Sequence, residues 1–529
     1  MLKNKVIKTN IYIFALIFSS LNILLYDSPL FKYILSNLSI SSYDGIMILI
    51  GVLLSELYLG YLFIILISFI PFFTKPIIAL SFICNSIALY FINSYNVILD
   101  KTMMGNVINT NPEESLDLYS YKLVLYIIFL GIIPSLLILR IKIIKKRSFK
   151  KFIIFTFAPL LIMLSFFYIN SSTWLWLDKN LKVLGALSMP FSYSINALRY
   201  QVPLWTTNQK QIDLPRGHFI NDKKVVVVLV IGESARAENF SLYGYKTRTN
   251  PKLESLKDVV AFPNSTSCAT YTTAGVKCIL SHLGAKSYGI SKNYEYLPTY
   301  LKKHDIKVFW RTNNAGEPKI EVDSYQKRSD IHSLCTDDLC KNNSYDDILL
   351  YKLNDLIKEN INSNTFIVLH QTGSHGPSYY NKYPKQFKKF TPVCKSVEIK
   401  ENCSQKDLIN AYDNTILYTD DFLYNTIAIL KSFKGTPSVM LYISDHGESL
   451  GEDNVYLHGM PNFIAPAVQR SVPFLMWMSD DFKKLRNIDI EKLSKNSSYS
   501  QDNIFYSVMG AFGLNSDFYN PHLDVFSNK

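Results

Sequence analysis

The sequence contains no motif that reads RNA or DNA, no internal repeat and no low-complexity tract. Of its net charge of +12, +7 falls in the first 171 residues, whereas nucleic-acid-binding proteins concentrate positive charge on one folded face. Charged residues make up only 19% of the chain and hydrophobic residues 48%, which is too apolar for a soluble enzyme. The 529 residues are too many for one ordinary domain. We therefore expect a membrane protein with a folded partner domain and no nucleic-acid partner.

The apolar residues are concentrated in stretches of about 20 residues, the length that crosses a bilayer as a helix. Five such stretches lie near 11–26, 45–71, 76–93, 122–139 and 152–169. Lys3, Lys5 and Lys8 precede the first stretch, as in a signal peptide, but no small-residue cleavage site follows it. The pattern predicts an uncleaved transmembrane domain of five helices over residues 1–171.

The positive charges predict the orientation of these helices. Arg140 and Lys151 bound a strongly basic loop between the fourth and fifth stretches, and such loops remain in the cytoplasm. Five spans then export the C-terminal part of the chain. Trp174 and Trp176 are typical of interfacial anchors, and we interpret 172–223 as a bridging segment at the membrane surface.

The cysteines give an independent indication of an oxidising compartment. Cys84 lies alone in an apolar stretch, whereas the other six form close pairs in sequence: Cys268 with Cys278, Cys335 with Cys340, and Cys394 with Cys403. Zinc ligation is the alternative, but tight C-x-x-C knuckles are absent. Spacing alone does not prove connectivity, yet the pattern favours three disulfides outside the cytosol.

Residues 224–529 have the pattern of an α/β domain. Continuous β-branched and apolar runs occur at 225–232, 306–310, 365–370 and 438–445, separated by segments compatible with helices. Runs of this kind are typical of strands buried on both faces of a sheet. The sequence therefore predicts a mostly parallel central sheet.

Potential metal ligands follow three of these runs. The first run leads into Glu233, the third into His370 and His375, and the fourth into Asp445 and His446, with Glu448 and His458 further on. A single acidic residue or histidine at a strand end is usually a helix cap or a surface turn. Because ligands of α/β sheets bind beyond the carboxyl ends of the strands, the coincidence favours a metal site, and Zn²⁺ accepts mixed oxygen and nitrogen ligands.

A nucleophile for such a site is offered by the segment between Cys268 and Cys278. It contains Thr270, Thr272 and Thr273, whose hydroxyls need a base or a metal to become reactive. The alternative is a polar turn in which these threonines only cap a helix.

Together these residues resemble the bacterial inner-membrane phosphoethanolamine transferases, which include lipid A modifying and mobile colistin-resistance enzymes of the alkaline phosphatase/sulfatase superfamily. The resemblance covers essentially the whole chain. It rests on GESARAENFSLYGY at 232–245, SCATYTT at 267–273, HQTGSHGP at 370–377, INAYDN at 409–414, SDHGESLGE at 444–452, YLHGMPN at 456–462 and QRSVP at 469–473. It implies a five-helix transmembrane bundle followed by a periplasmic alkaline-phosphatase-like domain.

The resemblance also implies roles for individual residues. Thr272 would be the covalently modified nucleophile, and Glu233, Asp445 and His446 would bind zinc with it. His375 and His458 match histidines that contact the transferred group or a second, weaker metal. The candidates for substrate contacts elsewhere are Asn106, Thr110 and Glu114, which fall at i, i+4 and i+8 on one face of a helix, and Lys319. A solvated amphipathic face is the alternative for the first three.

The implied reaction transfers phosphoethanolamine from phosphatidylethanolamine, through a phosphoethanolamine-threonine intermediate and with at least one tightly bound Zn²⁺. Lipid A, lipooligosaccharide, another glycan or a protein would be the acceptor, and the enzyme would be a monomer among membrane lipids. One alternative is a glycerol-phosphate transferase of the lipoteichoic-acid-synthase type. The other is a catalytically silent envelope scaffold. A sulfatase is disfavoured because Thr272 lacks the C/S-x-P-x-R setting of the modified sulfatase residue.

Overall fold

The chain folds into two compact units. The computed structural model describes residues 8–70, 72–110, 112–144, 148–206, 211–287, 292–494 and 499–527. The helical unit consists of the chain up to Met104 together with Tyr119–Gln201. The α/β unit consists of Gly105–Leu118 together with the chain from Val202 onward. Lys3, Lys5, Lys145, Lys146 and Arg147, which contribute to the predicted orientation, lie outside the described residues.

Within the described residues of the helical unit, four helices are long and apolar enough to cross a membrane. They are Tyr43–Ile67, Thr74–Tyr95, Tyr121–Arg140 and Phe149–Ile169. A bent pair of helices counts as a fifth span if it is taken as one. The predicted N-terminal helical region is thus confirmed, with four or five candidate spans.

The bent pair occupies the position of the first predicted span. Helix Ile11–Tyr26 ends at Asp27, and Ser28–Asn37 continues at an angle of 66°. Pro29 explains the break, because its ring removes a backbone N–H and clashes with the preceding turn, although it suits the first turn of a new helix. The apolar pattern alone did not reveal this bend.

Two further helices follow the last span, at Ser171–Leu187 and Phe191–Thr206. The segment predicted to form a bridge is therefore largely helical, and its part up to Gln201 packs within the helical unit. A short parallel strand pair joins Lys8–Asn10 to Lys142–Ile144. The start of the described chain consequently lies beside the basic loop, as the positive-inside argument requires.

The α/β unit is built on a seven-stranded sheet. Its strands are, in chain order, β1 (Val226–Gly232), β2 (Val259–Phe262), β3 (Lys307–Thr312), β4 (Ser324–Lys327), β5 (Thr365–His370), β6 (Ser438–Ser444) and β7 (Phe474–Met478). The order across the sheet is β2-β7-β6-β1-β5-β3-β4, and only β7 runs antiparallel to its neighbours. The predicted α/β fold with a mostly parallel sheet is confirmed.

The four strands predicted from sequence are the four neighbours at the centre of this sheet. Every residue of β1, β5 and β6 is buried, which is why their sequences are continuously apolar. The strands that were not predicted lie towards the edges. β4 has the half-exposed sequence SYQK, and β2 has only four residues. Neither strand therefore contains an apolar run long enough to distinguish it from a loop.

Helices and short strands complete the α/β unit. Its α-helices after β1 are Pro251–Glu254, Thr272–Leu280, Leu297–Lys302, Arg328–Leu334, Asp338–Lys341, Leu353–Glu359, Ile399–Asn402, Gln405–Lys431, Asp480–Arg486, Ile490–Ser494 and Asp502–Phe512. Two-residue strands pair His218–Phe219 with Leu514–Asn515 and Ser449–Leu450 with Tyr456–Leu457. Helix Gln405–Lys431 is the longest of these elements, and fifteen of its residues are buried.

Three disulfides join the cysteines as the sequence predicts. They are Cys268–Cys278, Cys335–Cys340 and Cys394–Cys403, all in the α/β unit. Cys84, in helix Thr74–Tyr95, is the free cysteine of the described chain. Each disulfide closes a short loop, which restricts the unfolded chain.

Thiol labelling of the unreduced, denatured protein should therefore modify one cysteine, Cys84. The pairing leaves no other thiol among the described residues. Peptide mass spectrometry after alkylation measures this directly, and the Cys84→Ser variant, which should take up no label, is the control. Three or more labelled cysteines would contradict the pairing.

Candidate active site

The carboxyl ends of β1 and β6 lie side by side, and the chain bends after each of them. Gly232 pairs in register with Ser444, so the next residues, Glu233 and Asp445, are neighbours. The Asp445 N–H donates to the Gly232 carbonyl at 3.0 Å. Glu233, Asp445 and His446 are completely buried. Two acidic side chains and an imidazole that are far apart in sequence therefore meet at one edge of the sheet.

These side chains surround the hydroxyl of Thr272. His446 Nε2 lies 3.2 Å from Glu233 Oε1 and 3.5 Å from Asp445 Oδ2. Thr272 Oγ1 donates to Glu233 Oε2 at 3.2 Å and lies 3.4 Å from His446 Nε2. The structure thus brings together the four residues that the sequence predicts to bind one metal ion.

Thr272 is presented by the start of a helix. It is the first residue of Thr272–Leu280, and the Cys268–Cys278 disulfide ties this helix to the loop before it. A Cβ added at Gly275 would lie 2.1 Å from the Asp445 carbonyl oxygen, so glycine is required for the helix to approach the turn after β6. The N-terminal end of a helix also carries partial positive charge, which favours an anionic substrate.

The neighbouring threonines differ from Thr272 in their contacts. Thr270 is buried, and its hydroxyl donates to the Met460 carbonyl at 2.6 Å. Thr273 lies beside Thr272 on the wall of the same cavity. Of the three threonines proposed from sequence, Thr272 is the one whose hydroxyl contacts both Glu233 and His446, and it is therefore the best candidate for the nucleophile.

The His446 ring is oriented by a backbone hydrogen bond. Its Nδ1 lies 2.9 Å from the Gly447 carbonyl, to which an Nδ1–H donates, so Nε2 faces Glu233 and Asp445. In metal-binding histidines, one imidazole nitrogen typically donates a hydrogen bond to a carbonyl, and the other binds the metal. Burial lowers the pKa of His446, but the negative charges of Asp445 and Glu233 outweigh it and raise that pKa to about 10.

The pKa shifts of the two carboxyl groups also show that negative charge is concentrated at this point. Burial tends to raise the pKa of Glu233, yet the charge of His446 holds it well below its ordinary value. Burial and the Glu233 charge raise the pKa of Asp445 well above its ordinary value. Asp445 Oδ2 is buried and accepts no hydrogen bond from any described residue. A cation at this point would satisfy both carboxylates and remove the need for a charged His446.

His458 extends this group of potential ligands. Ligand atoms of Glu233, His446 and His458 lie within 4.8 Å of one another, which is close enough to hold one ion. His458 Nδ1 lies 2.8 Å from Glu448 Oε2, and the Tyr379 hydroxyl donates to the other oxygen of that carboxylate. The His458 ring lies 4.2 Å from the His446 ring, measured between centroids.

His375 lies on the loop that follows β5, with its ring centroid 5.5 Å from that of His458. Burial lowers the pKa of His375 to about 3, so its imidazole is neutral. Its Nδ1 is buried without a hydrogen-bond partner in the described part of the chain. The other strand-end histidine, His370, is not in the ligand group of Glu233, His446 and His458, and its Nδ1 lies 3.3 Å from the Thr312 hydroxyl.

A cavity opens over Thr272. It is lined by His375, His458, Thr273, Asn314, Ala315 and Gly316 and, from the segment before Tyr119, by Asn106, Asn109, Thr110 and Glu114. The predicted substrate residues Asn106, Thr110 and Glu114 therefore face the same cavity as the predicted nucleophile.

The sequence analysis expected these three residues to lie on one face of a single helix, and this expectation is wrong. The structure has two helices, Lys101–Asn109 and Pro112–Asp117. Pro112 starts the second helix and lacks the N–H that a continuous helix would need at this position. Asn106 and Glu114 reach the cavity from different helices.

Lys319 is not brought to this cavity. It is exposed, and its backbone carbonyl accepts a hydrogen bond from Gln211 at 3.0 Å. Asn314 takes the position near the cluster instead, since its Nδ2 donates to Glu233 Oε2 and to the Gln371 carbonyl, both at 2.8 Å. The two consecutive asparagines after β3 could have indicated this contact from sequence, because β3 ends at the same edge of the sheet as β1 and β6.

Ser234 and Glu448 also contribute to the site, although the sequence analysis assigned no role to Ser234 and noted Glu448 only as a potential metal ligand. Ser234 has a positive φ of 54°, and its hydroxyl donates to Glu233 Oε1 at 2.7 Å. Such strained backbone is characteristic of functional turns. Glu448 positions His458, as described above. Both residues lie in motifs that were noted for their neighbours, and nothing in the sequence indicated the contacts that their own side chains make.

Two stretches of the chain match models of known protein families. Residues 226–514 match the family model described as sulfatase, and residues 57–203 match the model described as phosphoethanolamine transferase EptA/EptB. Among curated proteins, the phosphoethanolamine transferase EptA of Helicobacter pylori is 39% identical, covering 97% of this chain and 96% of that protein. The phosphatidylethanolamine transferase Mcr-1 of Escherichia coli is 33% identical over 85% of this chain and 86% of that protein.

A solved structure of the same length is also similar. The integral membrane protein lipooligosaccharide phosphoethanolamine transferase A of Neisseria meningitidis superposes with a TM-score of 0.88 at 27% identity. The match covers 98% of each chain. The similarity therefore includes both the helical unit and the α/β unit.

Proposed function

The chain belongs to the phosphoethanolamine transferases of the EptA type, and from this membership we propose that it transfers phosphoethanolamine from phosphatidylethanolamine to lipid A or lipooligosaccharide. Family membership favours this reaction over glycerol-phosphate transfer and over a silent scaffold. The observation that carries the proposal is the Thr272 hydroxyl at a helix start, 3.2 Å from Glu233 and 3.4 Å from His446, at the base of a cavity.

We propose that Glu233, Thr272, Asp445 and His446 hold one tightly bound Zn²⁺. Asp445 Oδ2, which is buried and accepts no hydrogen bond from a described residue, and the mixed oxygen and nitrogen donors fit such an ion. When bound, zinc neutralises negative charge on the phosphate and favours the deprotonated form of the nucleophile. His375 and His458 are the candidates for a second, weaker site.

The residues of the chain can perform a two-step transfer. In the first step, Thr272 gives its proton to Glu233 Oε2, and its oxygen forms a bond to phosphorus while the bond from phosphorus to the diacylglycerol oxygen breaks. His375 is neutral and therefore a poor acid, so we assign protonation of the leaving oxygen to His458, which Glu448 holds in place.

The second step reverses these roles. An oxygen of the acceptor attacks the phosphorus of the phosphoethanolamine-threonine ester while His458 accepts the proton of an acceptor hydroxyl, and the Thr272 oxygen leaves and recovers its proton from Glu233. The N-terminal turn of helix Thr272–Leu280 favours the phosphate in both steps. The two half-reactions at one site predict ping-pong kinetics.

The chain is an integral membrane protein, and we propose that it lies in the bacterial inner membrane with residues 224–529 as a periplasmic catalytic domain. Three disulfides in the α/β unit support an oxidising compartment. We retain 1–171 as the transmembrane domain and 172–223 as the connection, and propose a monomer.

Mass spectrometry of envelope lipids tests the proposed function. Cells that express the protein should contain lipid A or lipooligosaccharide with added phosphoethanolamine, and cells with the Thr272→Ala variant should not. Added glycerol phosphate would favour the lipoteichoic-acid-synthase alternative. Unchanged lipids, with phosphoethanolamine instead on another glycan or a protein, would keep the reaction and change the acceptor.

A further inference from the structure

The segment Gly105–Leu118 packs with the α/β unit, although the chain on both sides of it belongs to the helical unit. Its residues Asn106, Thr110 and Glu114 contribute one wall of the cavity over Thr272. This wall of the cavity is therefore formed by a segment distant in sequence from the rest of the α/β unit. The wall is complete only while this segment is held in place.

An ion pair joins the end of this segment to the α/β unit. Lys382 Nζ lies 2.6 Å from Asp117 Oδ2, which is the distance of a charge-assisted hydrogen bond. The Lys382 side chain is 13% exposed and that of Asp117 is 29% exposed. Solvent consequently screens this pair less than an exposed pair such as Arg248–Glu254, whose arginine is 70% exposed.

Lys382 belongs to the same loop as His375 and Tyr379. It directly follows the short turn Tyr379–Asn381, seven residues after His375, and its N–H donates to the Tyr379 carbonyl. The Tyr379 hydroxyl in turn donates to Glu448, which holds His458. One short stretch of chain thus connects Asp117 with both histidines of the cavity.

We propose that the Asp117–Lys382 ion pair is the latch that holds the wall of Asn106, Thr110 and Glu114 in register with Thr272, His375 and His458. Asp117 and Lys382 are positioning residues, since neither lines the described cavity. The inference rests on the proposed function, because it assigns the closed cavity to binding of the lipid donor.

The latch has a specific energetic consequence. Removing either charge leaves the other partly buried without its partner, so each single substitution weakens the attachment of the segment. Reversing both charges restores the attraction. The cavity residues themselves are unchanged in all of these variants, so the chemical step is preserved and the affinity for the donor falls.

The experiment uses the full-length protein in detergent and two readouts. The first is hydrogen exchange of peptides from 105–118, which should become faster in Asp117→Asn and in Lys382→Gln. The second is transfer from a fluorescent phosphatidylethanolamine, for which KM should rise by about tenfold in each variant with a much smaller change in kcat. The double variant Asp117→Lys with Lys382→Asp should recover both towards wild type.

Arg248→Gln is the matched control, since it breaks an exposed ion pair in the same unit and should leave both readouts unchanged. Unchanged exchange of 105–118 in both single variants would overturn the latch. So would a charge reversal that recovers neither readout. If the wild-type protein transfers no phosphoethanolamine, the proposed function fails, and hydrogen exchange still decides whether the ion pair holds the segment.

Discussion

Thr272→Ala should abolish phosphoethanolamine transfer, with a loss of at least about 10⁴-fold in kcat, because it removes the attacking oxygen and leaves only binding. Folding should be nearly unaffected. Thr272 is at the first position of its helix, and its hydroxyl contacts Glu233 and His446 rather than the hydrophobic core. Transfer from a fluorescent donor and the thermal unfolding midpoint measure the two effects on the same sample.

The covalent intermediate gives this prediction a second measurement. Wild-type protein incubated with phosphatidylethanolamine and no acceptor should carry phosphoethanolamine on a peptide that contains Thr272, whereas Thr272→Ala should carry none. Thr273→Ala is the matched control, because it removes a neighbouring hydroxyl on the same cavity wall and should keep the adduct. An adduct on Thr270 or Thr273 would show that another threonine is the nucleophile.

The cluster of Glu233, Asp445 and His446 was predictable from sequence because each of its parts is local. Glu233 follows one buried strand, and Asp445 and His446 follow another, so recognising two strands was enough to place their ends together. The segment that contains Thr272 was also recognisable locally, whereas the choice of Thr272 among its three threonines came from the family resemblance. Thr272 lies within a loop that two nearby cysteines close, and it begins a helix. None of these inferences required knowledge of how distant segments pack.

The remaining features depend on distant contacts that a linear pattern does not contain. The Asp117–Lys382 pair joins residues 265 positions apart. Asn314 reaches Glu233 because β3 and β1 flank the same strand, whereas Lys319 follows on an exposed stretch with no such constraint. The break at Pro112 was visible in sequence, but the expectation of a single helical face concealed it.

The proposed zinc ligands can be distinguished from the proposed substrate residues by comparing two histidines. We expect His446→Ala to lower zinc affinity by more than about 100-fold, since even partners outside the ligand set cost about 10- to 100-fold when lost. This substitution removes the nitrogen that lies closest to Glu233 and Asp445, and it leaves oxygen donors that suit harder ions.

His458→Ala should behave differently, although His458 also lies close enough to Glu233 and His446 to share an ion with them. Asp445 Oδ2 remains available in this variant, so the purified protein should keep one tightly bound zinc while turnover collapses for lack of the group that protonates the leaving oxygen. Elemental analysis of zinc per protein, beside a transfer assay on the same samples, measures both effects. His332→Ala, outside the cavity, is the control and should retain both zinc and transfer. If His458→Ala loses the tight zinc and His446→Ala keeps it, the assignment of His446 as ligand and His458 as acid is wrong.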